Sequence, residues 1–272
     1  MTPQRETQYG RTVAGTSIAT MTNDAIYIRD RDLVGELIGK VDFTSMLIFH
    51  LRGRFPEAGE KAVVDSILVT LMEHGLTPST ISARLIYDSS PDALQGAVAG
   101  GLLAAGTNFL GSMEGMAELL QEGVRQIEAG ESDAATYARE TLERLLGEGV
   151  AVPGFGHKDH HPDDPRTATL LRIARDHGVD GPHAALLGVF ATTMDELKGR
   201  HITVNATGAI AANLSDLGYP WQIMRGFSLV ARAAGIVGHL LEEQSEPLAR
   251  QMWDLIDHSV PYQGKVNGGE GR

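Results

Sequence analysis

The 272-residue chain contains no cysteine, which excludes disulfide frameworks, thiolate zinc sites, iron–sulfur clusters and thiol catalysis together. Basic residues are scarce: 23 Lys and Arg stand against 35 Asp and Glu, a formal net charge of -12. A nucleic-acid partner needs a basic face, so this balance argues against one. An anionic small ligand stays open, because a few convergent arginines dominate a local cleft. No apolar run approaches the roughly 18 residues that a membrane helix needs, so no membrane partner is expected. The opening MTPQRETQYG lacks a basic-then-apolar export pattern, and cytoplasm is the expected location. There is no repeat of fixed period, no low-complexity tract and no evident interdomain linker. What is left is the composition of a globular chain, 42% hydrophobic and 21% charged, long enough for one large domain or two modest ones.

Helical periodicity is what the sequence does have. Within Lys61–His74, the residues Val64, Ile67, Leu68 and Leu71 fall at i, i+3, i+4 and i+7, one helix face. Between Gln222 and Glu243 the series Ile223, Phe227, Val230, Ala234, Val237 and Leu241 predicts a buried stripe. Ala93–Ala105 is mainly Ala, Gly, Val and Leu, so a helix there has little bulk and can lie very close to its neighbours. Pro56, Pro78, Pro91, Pro153, Pro162, Pro165, Pro220 and Pro247 punctuate the helices. Ser132 is the expected N-cap of a helix toward Leu146, closed by Gly147-Glu-Gly149. The best strand signal is the short His201–Val204 stretch, and Gly264–Arg272 is expected to fray. The expected fold class is all-α.

Candidate chemistry concentrates in Val152-Pro-Gly-Phe-Gly-His157-Lys-Asp-His-His-Pro-Asp-Asp-Pro165-Arg166. Gly154 and Gly156 let the backbone approach a ligand, and Pro153 fixes one dihedral before them. A histidine and an arginine converging on one pocket suit an α-keto or α-hydroxy carboxylate. The guanidinium grips the carboxylate, and the imidazole meets the adjacent oxygen. Alternatively, the stretch is an ordinary loop followed by a helix start. Metal binding by His157, Asp159, His160 and His161 is a third possibility, although their spacing matches no zinc signature. Arg232 interrupts an apolar stripe, either reaching outward to water or pointing into a cleft. His74, before Gly75, would also complement a helix dipole.

Taken in order, several segments resemble the citrate synthase superfamily, especially its short citryl-CoA lyase branch and the C-terminal domain of ATP-citrate lyase. They are Ile38–Phe43 through Arg54-Phe-Pro56; Glu73-His74-Gly-Leu-Thr-Pro-Ser79-Thr80 with Ala83-Arg84; and Pro153-Gly-Phe-Gly-His157 with Asp164-Pro-Arg166. Leu217-Gly-Tyr-Pro220, Ala231-Arg232-Ala-Ala-Gly235 and Gly238-His239-Leu-Leu-Glu242 complete the series, so the match runs from about Thr12 to Asp254. The resemblance implies an all-α homodimer with a large helical domain from residues 1–114 and 218–272 and an inserted smaller one from 115–217. It implies a coenzyme A thioester as substrate, a carboxylate partner and no metal. By position, His157 would hydrogen-bond a keto or hydroxyl oxygen. Arg166 and Arg232 would bind carboxylate beside His74, with Arg250 as a further clamp. Val152, Pro153, Gly154, Phe155 and Gly156 would offer backbone to coenzyme A, with Lys158 next to them.

Three departures bear on the reaction. The stretch Gly106–Glu114 lacks the histidine with which synthases polarise an acetyl thioester, and Phe109–Glu114 is closer to the lyase branch. Asn205, in Thr203-Val-Asn205-Ala-Thr-Gly208, stands where the family carries an aspartate base. An amide can donate to an enolate oxygen but cannot shuttle a proton near neutral pH. Lys158 replaces the usual arginine after the histidine, keeping charge but losing the planar fork. Three functions follow: retro-aldol cleavage of a citryl-CoA-like ester with His157 taking the hydroxyl proton and Asn205 steadying the enolate; cleavage or condensation of a different 3-hydroxyacyl-CoA; or ligand binding without turnover.

Overall fold

The computed structural model describes residues 15–264, apart from the side chains of Asn108 and Phe109. The opening ten residues, residues 265–272 of the expected frayed tail and the position-109 side chain therefore lie outside the described residues. The chain divides into two compact units, the first ending at Lys61 and the second beginning at Ala62.

The first unit holds structure that hydrophobic periodicity did not signal. Strands β1 (Ala19–Met21), β2 (Ile26–Ile28) and β3 (Arg31–Asp32) form an antiparallel meander, with Ala19 opposite Ile28 and Tyr27 opposite Asp32. Strands of two or three residues are too short to show alternation, which is why the pattern passed unread. A single π-helical turn, Leu33–Leu37, leads to helix α1 (Phe43–Arg52). Asp42 caps α1 by accepting from the Ser45 amide at 3.0 Å, and the Arg29 guanidinium binds the His50 carbonyl near its end.

Helix α2 (Ala58–Met72) buries Val63, Val64, Ile67 and Leu68, close to the expected face. The second unit continues with α3 (Pro78–Ser89), α4 (Leu94–Leu103), α5 (Thr107–Glu128) and α6 (Ala134–Gly147). It is completed by α7 (Pro165–Asp176), α8 (Pro182–Lys198), α9 (Ala206–Asp216), α10 (Met224–Ser245) and α11 (Ala249–Ser259). Among the described residues no helix is long and apolar enough to cross a membrane. Pro78 and Pro165 each sit in a helix's first turn, where proline's missing N–H costs nothing.

Helix α9 is the spine. It packs on α5, α7 and α8, and nine of its residues from Ala206 to Ser215 are buried, including five in the run Gly208–Ala212. A helix apolar and small on every side belongs in an interior. Its N-terminus, at Asn205, opens onto the candidate site described below. As expected of its small residues, α4 lies close to its neighbours: a Cβ on Gly101 would come within 2.8 Å of Ile236 and 2.9 Å of Ala83.

Three local expectations need correction. The buried face of α10 is Phe227, Ala231, Arg232, Gly235, Ile236, Leu240 and Glu243, whereas Val237 and Leu241 are 48% and 68% exposed. A shift of one residue turns a helix by about 100°, and both stripes keep 3–4 spacing. The inner face mixes bulky apolar residues with small ones and with Arg232 and Glu243. The N-cap of α6 is Asp133, which accepts from the Ala135 and Thr136 amides, rather than Ser132. The His201–Val204 stretch forms no strand beyond an isolated bridge between Val204 and Phe155.

Candidate active site

The loop before α7 is tied to the N-terminus of α9 by backbone. The Gly156 amide donates to the Thr203 carbonyl at 2.7 Å, and the Asn205 amide donates to the Gly154 carbonyl at 3.0 Å. Gly154 has φ +77, and a Cβ there would lie 3.0 Å from the Gly208 Cα, so two glycines let loop and helix touch. A ring of side-chain bonds locks the seam. Ser112 Oγ accepts from the Gly154 amide at 2.8 Å and bonds Thr207 Oγ1 at 3.1 Å, while Thr207 Oγ1 donates to Asn205 Oδ1 at 2.6 Å. Asn205 Nδ2 then donates to the Gly156 carbonyl at 2.9 Å. Asn205 Oδ1 therefore caps α9, and one of the two Nδ2 hydrogens holds the loop.

Asp164 fixes the arginine. Its carboxylate is 1% exposed and accepts from the Arg166 amide at 3.0 Å, Arg166 Nε at 2.9 Å, Arg166 Nη2 at 2.8 Å and the Ala206 amide at 3.0 Å. Burial alone would raise the Asp164 pKa, but the hydrogen bonds from Arg166 and Ala206 outweigh it and hold it at about 2. The guanidinium is thus preset before any ligand arrives. Sequence reading placed Asp164 at a helix start and in the family-like run with Arg166 but gave it no role; an aspartate two residues before the arginine, at an N-cap, was the available signal.

The histidine is preset too. His157 Nδ1 accepts from the Asp159 and His160 amides at 3.0 and 3.1 Å. The ring's proton therefore sits on Nε2, 3.2 Å from Arg166 Nη2. Two donors face each other there, which is the arrangement that one ligand oxygen completes. Burial, then His160 and Arg166, lowers the His157 pKa; burial, then Arg166, Arg232 and His160, lowers that of His74. Both rings are held toward the neutral form.

These groups line a cavity of about 280 Å³ with Thr70, Leu71, Thr77, Pro78, Ser79, Ser112, Asn205 and Thr207. His74, His157, Arg166, Asn205 and Arg232 all reach it, so five sequence-predicted residues converge. Arg232 points inward rather than out to water: it is 7% exposed and its Nη1 has no hydrogen-bond partner. Burial lowers its pKa while Glu73 opposes the shift. Ser79 Oγ is likewise buried and unpartnered, and sequence reading missed it as a site group. A second cavity of about 390 Å³ is lined by Val150, Val152, Phe155, Gly156, Met194, Lys198 and others. One loop thus serves both cavities, His157 the first and Val152, Phe155 and Gly156 the second. Pro153, Gly154 and exposed Lys158 line neither. Arg250 lies apart on α11, where it donates to Asp88 at 3.1 Å.

His74, His157 and His160 bring ligand nitrogens within 4.8 Å of one another. The donor set nonetheless suits an anion. The free nitrogen of His157 carries a proton, and Arg166 and Arg232 flank the group.

A family model, citrate synthase C-terminal domain, matches residues 4–252. The chain belongs to the citrate synthase family. A solved citryl-CoA lyase from Hydrogenobacter thermophilus superposes with TM-score 0.82 at 28% identity, over 94% of this chain and 97% of that one. The ATP citrate lyase of Methanothrix soehngenii, solved with citrate and coenzyme A, matches with TM-score 0.73 at 18% identity over 94% of this chain and 42% of that one, a likeness of fold. The 2-methylcitrate synthase of Shewanella oneidensis is 26% identical over 200 residues, 72% of this chain and 50% of that protein. The chain spans about half the length of the curated relatives it matches first, 53% of each. The all-α citrate synthase-like fold expected from sequence is the one observed.

Proposed function

We propose that the chain cleaves a carbon–carbon bond in a citryl-CoA-like thioester, releasing oxaloacetate and acetyl-CoA. The observation that carries this reading is the meeting of three donors, His157 Nε2–H, Arg166 and Arg232, in one small cavity. The full-length likeness to a citryl-CoA lyase supports it. Arg166 and Arg232 grip carboxylates and hold the substrate in reactive geometry, which can contribute several kcal/mol. The thioester arm extends across the Val152–Gly156 loop toward the second cavity, and the pair of cavities supports that path.

The tautomer of His157 revises its role. Its Nδ1 is occupied by two backbone amides, so the ring donates to the hydroxyl oxygen that becomes the keto oxygen and does not take the hydroxyl proton. We assign that proton to His74, a neighbouring imidazole in the cavity with a ring centroid 5.8 Å from that of His157. As the C–C bond breaks, its electron pair passes to the thioester enolate, which takes a proton from water. Asn205 caps α9 through Oδ1 and holds the loop through one Nδ2 hydrogen, which leaves its second Nδ2 hydrogen to steady the enolate.

That asparagine also favours a second reading, a carboxylate and coenzyme A binder without turnover; a different 3-hydroxyacyl-CoA would use the same donors. For assembly we propose a homodimer, supported by the apolar side chains that α10 and α11 leave in water: Val237, Leu241, Trp253, Leu255 and Ile256. The division of the chain into 1–114 with 218–272 and 115–217 belongs to the same proposal, and Gly218, at φ 75 after α9, offers a turn for its second crossing. Incubation with citryl-CoA, followed by mass spectrometry, tests the function. Formation of oxaloacetate and acetyl-CoA, lost in His157→Ala, supports the lyase; binding without products selects the binder.

A further inference from the structure

Behind the cavity lies a chain of polar groups that the proposed reaction does not use. Arg84 on α3 is wholly buried, donates from Nη1 to Glu243 at 2.6 Å, and also pairs with Glu242. Its Nε and Nη2 stand 3.3 and 2.8 Å from His239 Nδ1. A guanidinium only donates, so Nδ1 is the acceptor and the ring's proton lies on Nε2. That nitrogen is 3.0 Å from Glu73 Oε2. The other oxygen of Glu73 accepts from the His74 amide at 2.8 Å and the Gly75 amide at 2.7 Å.

Arg232 joins the same carboxylate differently. Its Nη1 is 4.0 Å from Glu73 Oε1, near enough to balance charge and too far to hydrogen-bond, so the donor stays available to the cavity. The packing is built for this approach. A Cβ on Gly235 would lie 2.0 Å from the Met72 carbonyl oxygen and 3.2 Å from Glu73 Oε2. Only glycine lets α10 come this close to the turn between α2 and α3.

We propose that His239 is a positioning residue: it carries the fixed position of Arg84 through Glu73 to the His74 turn and keeps Arg232 facing the cavity. The relay itself rests on the geometry above; its ligand rests on the carboxylate reading of the preceding section. His239→Gln retains one acceptor for Arg84 and one donor for Glu73, whereas His239→Leu retains neither.

Two readouts on the full chain separate this from a general loss of structure. In His239→Leu, amide exchange at His74 and Gly75 is expected to quicken at least tenfold. The Kd for oxaloacetate should weaken at least tenfold in calorimetry while that for coenzyme A moves less than twofold. His239→Gln should return both readouts to within threefold of wild type. Unchanged exchange in the leucine variant, or a glutamine variant no better than leucine, would overturn the relay. If His239→Leu does not fold, Glu73→Gln replaces it: the side-chain amide it introduces would turn a donor toward His239 Nε2–H or surrender the turn amides, and the same tenfold loss of oxaloacetate affinity is expected. Unchanged affinity there also overturns the relay. A wild-type protein that binds no oxaloacetate would sink the carboxylate reading, and the exchange rates alone would then decide the relay.

Discussion

The two walls of the cavity are held in different ways. The wall that carries His157 and Arg166 is fixed by backbone: paired amides and carbonyls join residues 154–156 to 203–205, and one buried aspartate sets the arginine. The wall that carries His74 and Arg232 is fixed by side chains on α3 and α10 separated by more than 150 residues in sequence. Backbone pairing tolerates most side-chain changes, so the first wall hangs on a few marked positions. A side-chain relay fails at any link, so the second depends on all of its members at once.

The largest break is expected at Asp164. Asp164→Ala leaves a preset guanidinium and the Ala206 amide without their partner, and removing one member of a buried ion pair costs about 3–5 kcal/mol. Thermal unfolding reads this loss. The same carboxylate predicts the response to acid. Its folded pKa, about 2, is below the ordinary 3.8, so its contribution is present above pH 3.8 and is lost as pH falls through about 2. A shift of that size corresponds to about 2–3 kcal/mol, and the acid limb of the stability curve should flatten in Asp164→Asn.

Next in size is Gly235→Ala, which strains the second wall by driving a methyl group into the Met72 carbonyl. Overpacking of this kind costs about 1–3 kcal/mol, and oxaloacetate binding should fall further than stability alone explains. Asn205→Asp sharpens the comparison, since it sets a carboxylate oxygen 2.9 Å from the Gly156 carbonyl in place of a donor. One lost hydrogen bond between two acceptors should cost about 1–3 kcal/mol at pH 8, with part recovered at pH 4, where the carboxyl can carry a proton. Circular dichroism melts at the two pH values check it. The smallest effect belongs to Arg250→Ala: its exposed pair with Asp88 should alter stability by about 0.5 kcal/mol or less.

Legibility in the sequence follows the same divide. Pro153, Gly154, Gly156 and the Asp164-Pro-Arg166 run are local marks, so the first wall could be read from spacing and family resemblance. The tie of Asn205 to Gly156 could not, because it joins residues 49 apart through an amide whose orientation spacing does not encode. On the second wall His74 and Arg232 were legible, but Glu73 and His239 stood in the motifs without a role until α3 and α10 came together. The phase of α10 failed for a related reason: its inner face mixes Phe227, Ile236 and Leu240 with Arg232, Gly235 and Glu243, and a hydrophobic count passes over the last three. The meander of the first unit is too short for any periodicity to announce.

The central claim is that the cavity is a donor-lined trap for a carboxylate, and calorimetry with oxaloacetate at pH 7.5 tests it most directly. The account predicts one site per chain, weakened at least 100-fold in both Arg166→Ala and Arg232→Ala. Equal affinity in the wild type and both variants would contradict it, as would zinc ions binding to His74, His157 and His160 where oxaloacetate does not.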